Sequence, residues 1–157
     1  TSRPAVEVRS ERVRRAIAAG DVMVASRLLG RPFAVYGVVV VGNQLGRTIG
    51  VPTANLAPCY SGPTPAHGVY QASVRLPDGN RWPAAANVGV RPTLGTAGEL
   101  RIEAHLIGFD GDLYGSEIEV AFHQRLRSER KFANLDDLKA QLFTDIRHAA
   151  SLSAEGL

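Results

Sequence analysis

Short runs of β-branched and aromatic residues, separated by turn residues, fill the middle of this chain. This composition is typical of β-strands, which we predict over residues 33–41, 68–76, 81–88, 100–107 and 117–122. Between the second and third strands, Pro77-Asp78-Gly79-Asn80 is a strong hairpin turn. Many short strands followed by a single helix indicate a small closed antiparallel β-barrel.

The helical segments are predicted at the two ends of the chain. Residues 9–29 have helical character, but Gly20-Asp21 interrupts them, so two short helices with a break are expected. Near the C-terminus, Asn134 is a plausible N-cap. The helix that follows carries one apolar stripe, formed by Leu135, Leu138, Leu142 and Ile146.

Bulk composition is that of one globular domain. The chain has 157 residues, of which 45% are hydrophobic and 21% charged. No apolar run is long enough to predict a membrane span. The only cysteine, Cys59, cannot form an internal disulfide, which fits a cytoplasmic protein. A net charge of +3 is mild and would help to attract anionic nucleotides.

The most informative motif occupies residues 42–55. Gly42, Gly46 and Gly50 recur at intervals of four residues, with Arg47 between them. Backbone N–H groups of such a loop, with a nearby cation, can form an anion cradle. Beyond it, Thr53 and Asn55 offer hard oxygen donors suited to Mg²⁺. The segment therefore suggests nucleotide chemistry, although a glycine-rich turn between two strands fits the spacing equally well.

The same segment, ending in Pro52-Thr53-Ala54-Asn55, resembles the signature of riboflavin kinases, which use ATP to convert riboflavin into FMN. Further stretches resemble the family in the same order along the chain, over about residues 28–146: Gly68-Val69-Tyr70, Asn87-Val88-Gly89, Glu103-Ala104-His105-Leu106, Phe109 to Gly115, and Leu126-Arg127. The resemblance implies a six-stranded closed antiparallel barrel with a long C-terminal helix alongside.

The resemblance also implies a role for individual residues. Gly42, Gly46 and Arg47 would bind the ATP phosphates, and Thr53 and Asn55 would hold Mg²⁺ with phosphate oxygens. Glu103 would accept the proton of the terminal ribityl hydroxyl, although a glutamate on a polar strand face is ordinarily a solvated charge. The nucleotide side would include His105, Leu113 and Tyr114. The flavin would contact Arg127, Glu129 and Phe132, although Phe132 could instead pack against the last helix.

The sequence also predicts how the chain is divided into domains. We assign residues 1–29 to a helical remnant of an adenylyltransferase domain and residues 30–157 to the kinase domain. Residues 8–14 resemble the last motif of the adenylyltransferase half of bacterial bifunctional FAD synthetases, and the partner domain would normally lie on the same chain. No His-x-Gly-His motif occurs, so FAD synthesis is not expected from this chain alone.

Two rival functions remain open at this point. One is a flavin-binding barrel without catalysis, against which Thr53, Asn55 and Glu103 argue. The other is a nucleic-acid-binding barrel. Only 6% of residues are aromatic, and the basic clusters at 9–15 and 125–131 lie outside the predicted strands, so nucleic-acid binding is not expected.

Overall fold

A computed structural model describes residues 3–41, 52–58, 64–91 and 99–155. Within these ranges the chain forms three helices and six strands. The helices are α1 (Arg3–Ala18), α2 (Val22–Leu29) and α3 (Leu135–Glu155). The strands are β1 (Phe33–Val40), β2 (Ala54–Pro58), β3 (Gly68–Arg75), β4 (Arg81–Arg91), β5 (Glu99–Leu106) and β6 (Glu117–Arg127). No helix in the described ranges is long and apolar enough to cross a membrane.

The six strands close into a barrel in the order β1-β2-β5-β4-β3-β6, and every neighbouring pair is antiparallel. This confirms the predicted six-stranded closed antiparallel barrel with a C-terminal helix. Closure leaves no free sheet edge, because β6 pairs with both β3 and β1. The strand β2 was not among the five predicted from composition, since Ala-Asn-Leu-Ala-Pro is short and lacks β-branched residues.

The barrel interior is filled by every second residue of each strand. Tyr70, Phe122 and Val35 are fully buried there. The Phe122 ring stacks on Phe33 with centroids 5.9 Å apart and meets Tyr70 edge-on at 5.3 Å. Burying a side chain such as Phe122 contributes about 1.5–3 kcal/mol. Because the interior positions alternate with exterior ones, the polar residues between them point out of the barrel.

The two N-terminal helices pack onto the barrel rather than standing apart from it. Gly20 adopts a positive φ of 82°, which ends α1, and the Asp21 carboxylate then accepts a hydrogen bond from the Val24 N–H at the start of α2. Ile17 and Val22 are buried in the same cluster as the barrel core. The helix–break–helix prediction is confirmed, whereas the domain boundary after residue 29 stays a prediction.

The helix α3 packs against β3 and β4, and its N-cap is Asn134, whose Oδ1 accepts from the Asp137 N–H at 2.9 Å. The predicted stripe is only partly covered: Leu138, Leu142 and Ile146 are half-buried, while Leu135 is 50% exposed. The fully covered positions of this helix are Ala149 and the charged Asp145. An ion pair therefore lies under the helix, beside its apolar contacts.

Candidate active site

Three polar residues from adjacent strands form one row on the outer face of the barrel. Asn55 on β2 is in register with Glu103 on β5, and Glu103 is in register with Asn87 on β4. Their neighbours along each strand are buried in the core: Ala54, Leu56, Ala86, Val88, Ile102 and Ala104. Residues directly opposite one another on a sheet face have Cβ atoms roughly 4.5–5.5 Å apart. The fold thus brings Glu103 between two amide side chains, which we call the Asn–Glu–Asn row.

Both amides of the Asn–Glu–Asn row carry an oxygen that no described residue satisfies. Asn55 is 8% exposed, and its Oδ1 and that of Asn87 are buried with no hydrogen-bond partner in the part of the chain that the structure describes. A buried polar atom left unpaired costs about 1–3 kcal/mol. Such atoms in a native fold call for an explanation, and a ligand that completes their bonding supplies one.

The donor set fits a hard cation on one side of the row. Asn55 Oδ1 is a carbonyl oxygen without a partner among the described residues, and Thr53, just before the start of β2, is partly buried. Mg²⁺ prefers such oxygens and usually completes its shell with phosphate oxygens and water. In the described ranges no group of three or more His, Cys, Asp or Glu side chains could hold a metal ion.

The Glu103 carboxylate is held by a residue that sequence analysis missed. Arg101 Nε donates to Glu103 Oε1 at 2.8 Å, and the side chains are 23% and 20% exposed respectively. Strand alternation already placed Arg101 on the same face as Glu103, which was the available signal. Asn87 was likewise part of a recognised motif but received no role.

His105, the next outward residue on β5, fixes the start of the Thr53 segment. Its Nδ1 lies 2.7 Å from the Pro52 carbonyl oxygen, which can only accept, so Nδ1 carries the proton. This bond ties β5 to the end of the segment 42–52. The predicted phosphate-binding residues Gly42, Gly46 and Arg47 lie outside the described residues.

A groove of about 360 Å³ opens at the barrel end beside Thr53. Its walls come from β1, β2, β5 and the connection between β5 and β6: Val39, Pro52, Thr53, Ala54, Ala104, Leu106, Phe109, Asp110, Gly111, Asp112, Leu113 and Tyr114. The connection is fixed to β1, because the Gly115 N–H donates to the Val39 carbonyl at 2.9 Å. The groove brings together three predicted nucleotide residues, Thr53, Leu113 and Tyr114; His105 is not among its lining residues.

Two residues along β4 from Asn87, Glu129 lies over the sheet at Gly89. Gly89 is in register with Arg101, and a Cβ added to Gly89 would overlap the Glu129 carboxylate. The same carboxylate is 3.7 Å from His67 Nδ1, an exposed pair of little energetic weight. Glycine at position 89 therefore lets an acidic side chain approach the strand beside Arg101.

The other two predicted flavin residues make contacts within the protein. Arg127 donates to Asp145 on α3 through Nε at 3.0 Å and Nη2 at 2.9 Å. The guanidinium groups of Arg127 and Arg130 lie 5.8 Å and 5.1 Å from the centre of the Phe132 ring. These contacts fix the segment between β6 and α3. A flavin role for Arg127, Glu129 and Phe132 stays a prediction.

Comparisons with known proteins point to one family. The family model described as riboflavin kinase matches residues 29–153. A bifunctional riboflavin kinase/FMN adenylyltransferase of Pseudomonas fluorescens is 46% identical over 149 residues, which cover 95% of this chain and 47% of that protein. The protein of the same description from Escherichia coli K12 is 43% identical over 140 residues, covering 89% and 44%. The chain thus spans about half the length of these relatives.

Two solved structures share the fold. A crystal structure described as a macrolide-efflux protein from Streptococcus pneumoniae has a TM-score of 0.84 and 39% identity, covering 90% of this chain and 46% of that one. Riboflavin kinase from Trypanosoma brucei has a TM-score of 0.52 at 24% identity, covering 77% and 79%, and supports the barrel fold alone. Motifs, topology and the family match lead to one assignment: this chain belongs to the riboflavin kinase family.

Proposed function

We propose that this chain transfers the γ-phosphate of ATP to the terminal ribityl hydroxyl of riboflavin, giving FMN and ADP. The observation that carries the proposal is the Asn–Glu–Asn row, together with the groove at the barrel end that Thr53 lines. A carboxylate that can receive a proton lies in register with a residue whose carbonyl oxygen is buried without a partner among the described residues, and Thr53, two residues from Asn55, lines the groove. Phosphoryl transfer needs neutralisation of the phosphate charge, correct placement of the two substrates and a proton acceptor close to the attacking hydroxyl.

The nucleotide would enter through the groove at the barrel end. The apolar walls around Leu113 and Tyr114 suit a flat base. Thr53 lies where the groove meets the sheet, so the phosphates would extend from there toward Asn55 and Glu103. The segment containing Gly42, Gly46 and Arg47 joins β1 to Thr53, and we propose that it supplies the phosphate cradle.

Mg²⁺ fits beside the phosphates, with Thr53 and Asn55 as the protein ligands. Bound there, the ion would neutralise charge that develops on the transferred phosphoryl group. The unpaired Oδ1 of Asn55 supports this role, because a ligand oxygen must not be used elsewhere. The hydrogen bond of His105 to Pro52 would hold Thr53 in place beside it.

Glu103 would accept the proton of the substrate hydroxyl as phosphoryl transfer proceeds. It is the central member of the row and partly exposed, so a hydroxyl can reach it. Phosphoryl transfer is largely dissociative and asks little basicity of its acceptor, so orientation is the main requirement. The flavin ring would then extend from Glu103 past Gly89 toward Glu129 and Phe132, with Arg127 supporting that segment.

The parent protein would be bifunctional. The two relatives named above carry both activities in their descriptions, and this chain covers less than half of each. We propose that the FMN product passes to an adenylyltransferase domain of the same protein. The chain alone, lacking a His-x-Gly-His motif, would stop at FMN.

The test is a chromatographic assay of the purified chain with riboflavin, ATP and Mg²⁺. We expect FMN and ADP in equal amounts and no FAD. Riboflavin binding without ATP consumption would instead identify a non-catalytic flavin-binding barrel, and binding of neither substrate would reject the proposal. Thr53→Ala and Asn55→Ala should abolish turnover with the fold intact. Asn80→Ala, in the hairpin turn away from the row, is the matched control and should retain activity.

A further inference from the structure

We propose that Arg101 is a positioning residue for this reaction: it orients the Glu103 carboxylate and binds the substrate hydroxyl next to the reacting one. The inference rests on the proposed function. The Arg101 guanidinium uses one donor on Glu103 and has another that is buried and unpaired within the described part of the chain.

The contact between the two side chains fixes the carboxylate. Arg101 and Glu103 are two residues apart on β5 and so share its outer face, roughly 6.6 Å apart along the strand. The Nε–Oε1 distance of 2.8 Å is that of a strong charge-assisted hydrogen bond. Both groups are mostly shielded from solvent, so water competes little for the bond. The residues in register with Glu103, Asn55 and Asn87, are neutral, so the cation that contacts its carboxylate comes from Arg101 on its own strand.

A second donor of Arg101 has no partner among the residues that the structure describes. Its Nη2 is buried without a hydrogen bond in the described ranges of the chain. Directly opposite Glu103, Asn87 Oδ1 is a buried acceptor that likewise lacks a partner in the described ranges. A hydroxyl group both donates and accepts, so the hydroxyls of a polyol can satisfy a free N–H and a free carbonyl oxygen together. A ribityl chain has this chemistry, whereas an apolar or purely anionic group does not.

The direction of the strand sets which hydroxyl meets Arg101. His105, on one side of Glu103, is bonded to Pro52 next to the groove that we assign to the nucleotide. Arg101, on the other side, is in register with Gly89 beneath Glu129. A substrate whose terminal hydroxyl contacts Glu103 must therefore extend toward Arg101. The hydroxyl on the adjacent carbon is then the one within reach of Nη2.

Kinetic coupling between the two residues is the decisive test. We would measure kcat and KM for wild type, Arg101→Met, Glu103→Gln and the double variant. Arg101→Met should lower kcat by roughly 10- to 100-fold, the range for losing a hydrogen bond to a charged group, with KM for ATP unchanged. In the Glu103→Gln background the same change should cost less, because the part of the Arg101 effect that acts through the carboxylate is already lost. Arg101→Lys keeps the charge but loses the planar guanidinium with its several N–H donors, so its kcat should lie between those of Arg101→Met and wild type.

Arg75→Met is the matched control. Arg75 also pairs with a glutamate on the barrel exterior, Glu119 at 3.0 Å, but on β3 and β6. The Arg75→Met substitution should leave kcat unchanged. Additive losses in Arg101→Met and Glu103→Gln, or equal losses in Arg75→Met, would overturn the positioning role. If Arg101→Met fails to fold by circular dichroism, the Arg101→Lys and Glu103→Gln cycle answers the same question.

The contact with substrate has its own measurement. Riboflavin lacking the hydroxyl adjacent to the terminal one should be phosphorylated at least tenfold less efficiently than riboflavin by wild type, since the buried donor stays unpaired. Arg101→Met should reduce that preference, as it no longer presents the donor. An unchanged preference would refute the contact. Wild-type turnover of riboflavin itself is measured first, so failure of the proposed function is seen separately from failure of this inference.

Discussion

The buried ion pair under the C-terminal helix gives the sharpest prediction for stability. Asp145 is 4% exposed, and it receives two donors from Arg127 and one from Gln141 at 2.9–3.0 Å. Asp145→Ala leaves the guanidinium and the amide without their acceptor. Breaking a buried pair costs about 3–5 kcal/mol. Because 20% of the Arg127 side chain reaches solvent, the cost should fall near 3 kcal/mol, toward the low end of that range.

Urea denaturation would give the free energy of unfolding for this variant. For a chain of this length the expected loss corresponds to a Tm lower by roughly 6–12 °C. Asp137→Ala is the matched control, since that carboxylate is exposed in the first turn of α3 and its removal should cost at most about 1 kcal/mol. Arg127→Met combined with Asp145→Leu should recover most of the loss, because an apolar pair leaves no buried charge.

Equal stability of Asp145→Ala and Asp137→Ala would refute this account of the helix. The same variants also inform the site. Arg127 Nη1 donates to the Ser128 carbonyl at 3.0 Å, so the pair holds the start of the segment that carries Glu129. We expect Asp145→Ala to raise KM for riboflavin more than KM for ATP. Equal changes in both would show that the segment does not serve the flavin side.

Three further outcomes follow from particular contacts. Gly89→Ala should displace the exposed Glu129 carboxylate and so raise KM for riboflavin, while the free energy of unfolding changes by less than about 1 kcal/mol. An unchanged KM for riboflavin would contradict this. Burial, with a smaller effect of Arg81, lowers the pKa of His123. As pH falls, His123 is therefore protonated more readily in the unfolded chain than in the folded one, and the free energy of unfolding should decrease below about pH 6.5. The decrease should be less steep in His123→Gln, and identical pH dependence of the two proteins would refute this. Asn134→Ala should cost about 1 kcal/mol through the lost N-cap, and no change in Tm would reject the cap.

The barrel could be predicted largely from local patterns. Alternation along β5 placed Ile102 and Ala104 inside and Glu103 outside, as the structure shows. The turn at Asp78-Gly79 fixed the β3–β4 hairpin, where Asp78 Oδ1 accepts from the Asn80 N–H at 2.9 Å. These signals are local, so no knowledge of distant contacts was needed.

What the sequence did not reveal depends on partners distant along the chain. Asn55 and Asn87 meet Glu103 only because β2 and β4 flank β5, an order that strand patterns do not encode. The pairing of Arg127 with Asp145 is of the same kind. From sequence alone an aspartate on a helix is expected to be solvated, and only the fold shows that an arginine from β6 contacts it. Arg101 is different: its position was readable from alternation, and only its contact with Glu103 shows its importance.

The central claim is that Glu103 is the proton acceptor of a riboflavin kinase. The most direct test is kcat and the affinities for riboflavin and ATP in Glu103→Gln. The amide keeps the shape of the site and can still accept a hydrogen bond, so binding should be nearly preserved while kcat falls by about 10²–10⁴-fold, toward the low end if transfer is dissociative. An unchanged kcat would make Glu103 a solvated residue of the strand and contradict the account.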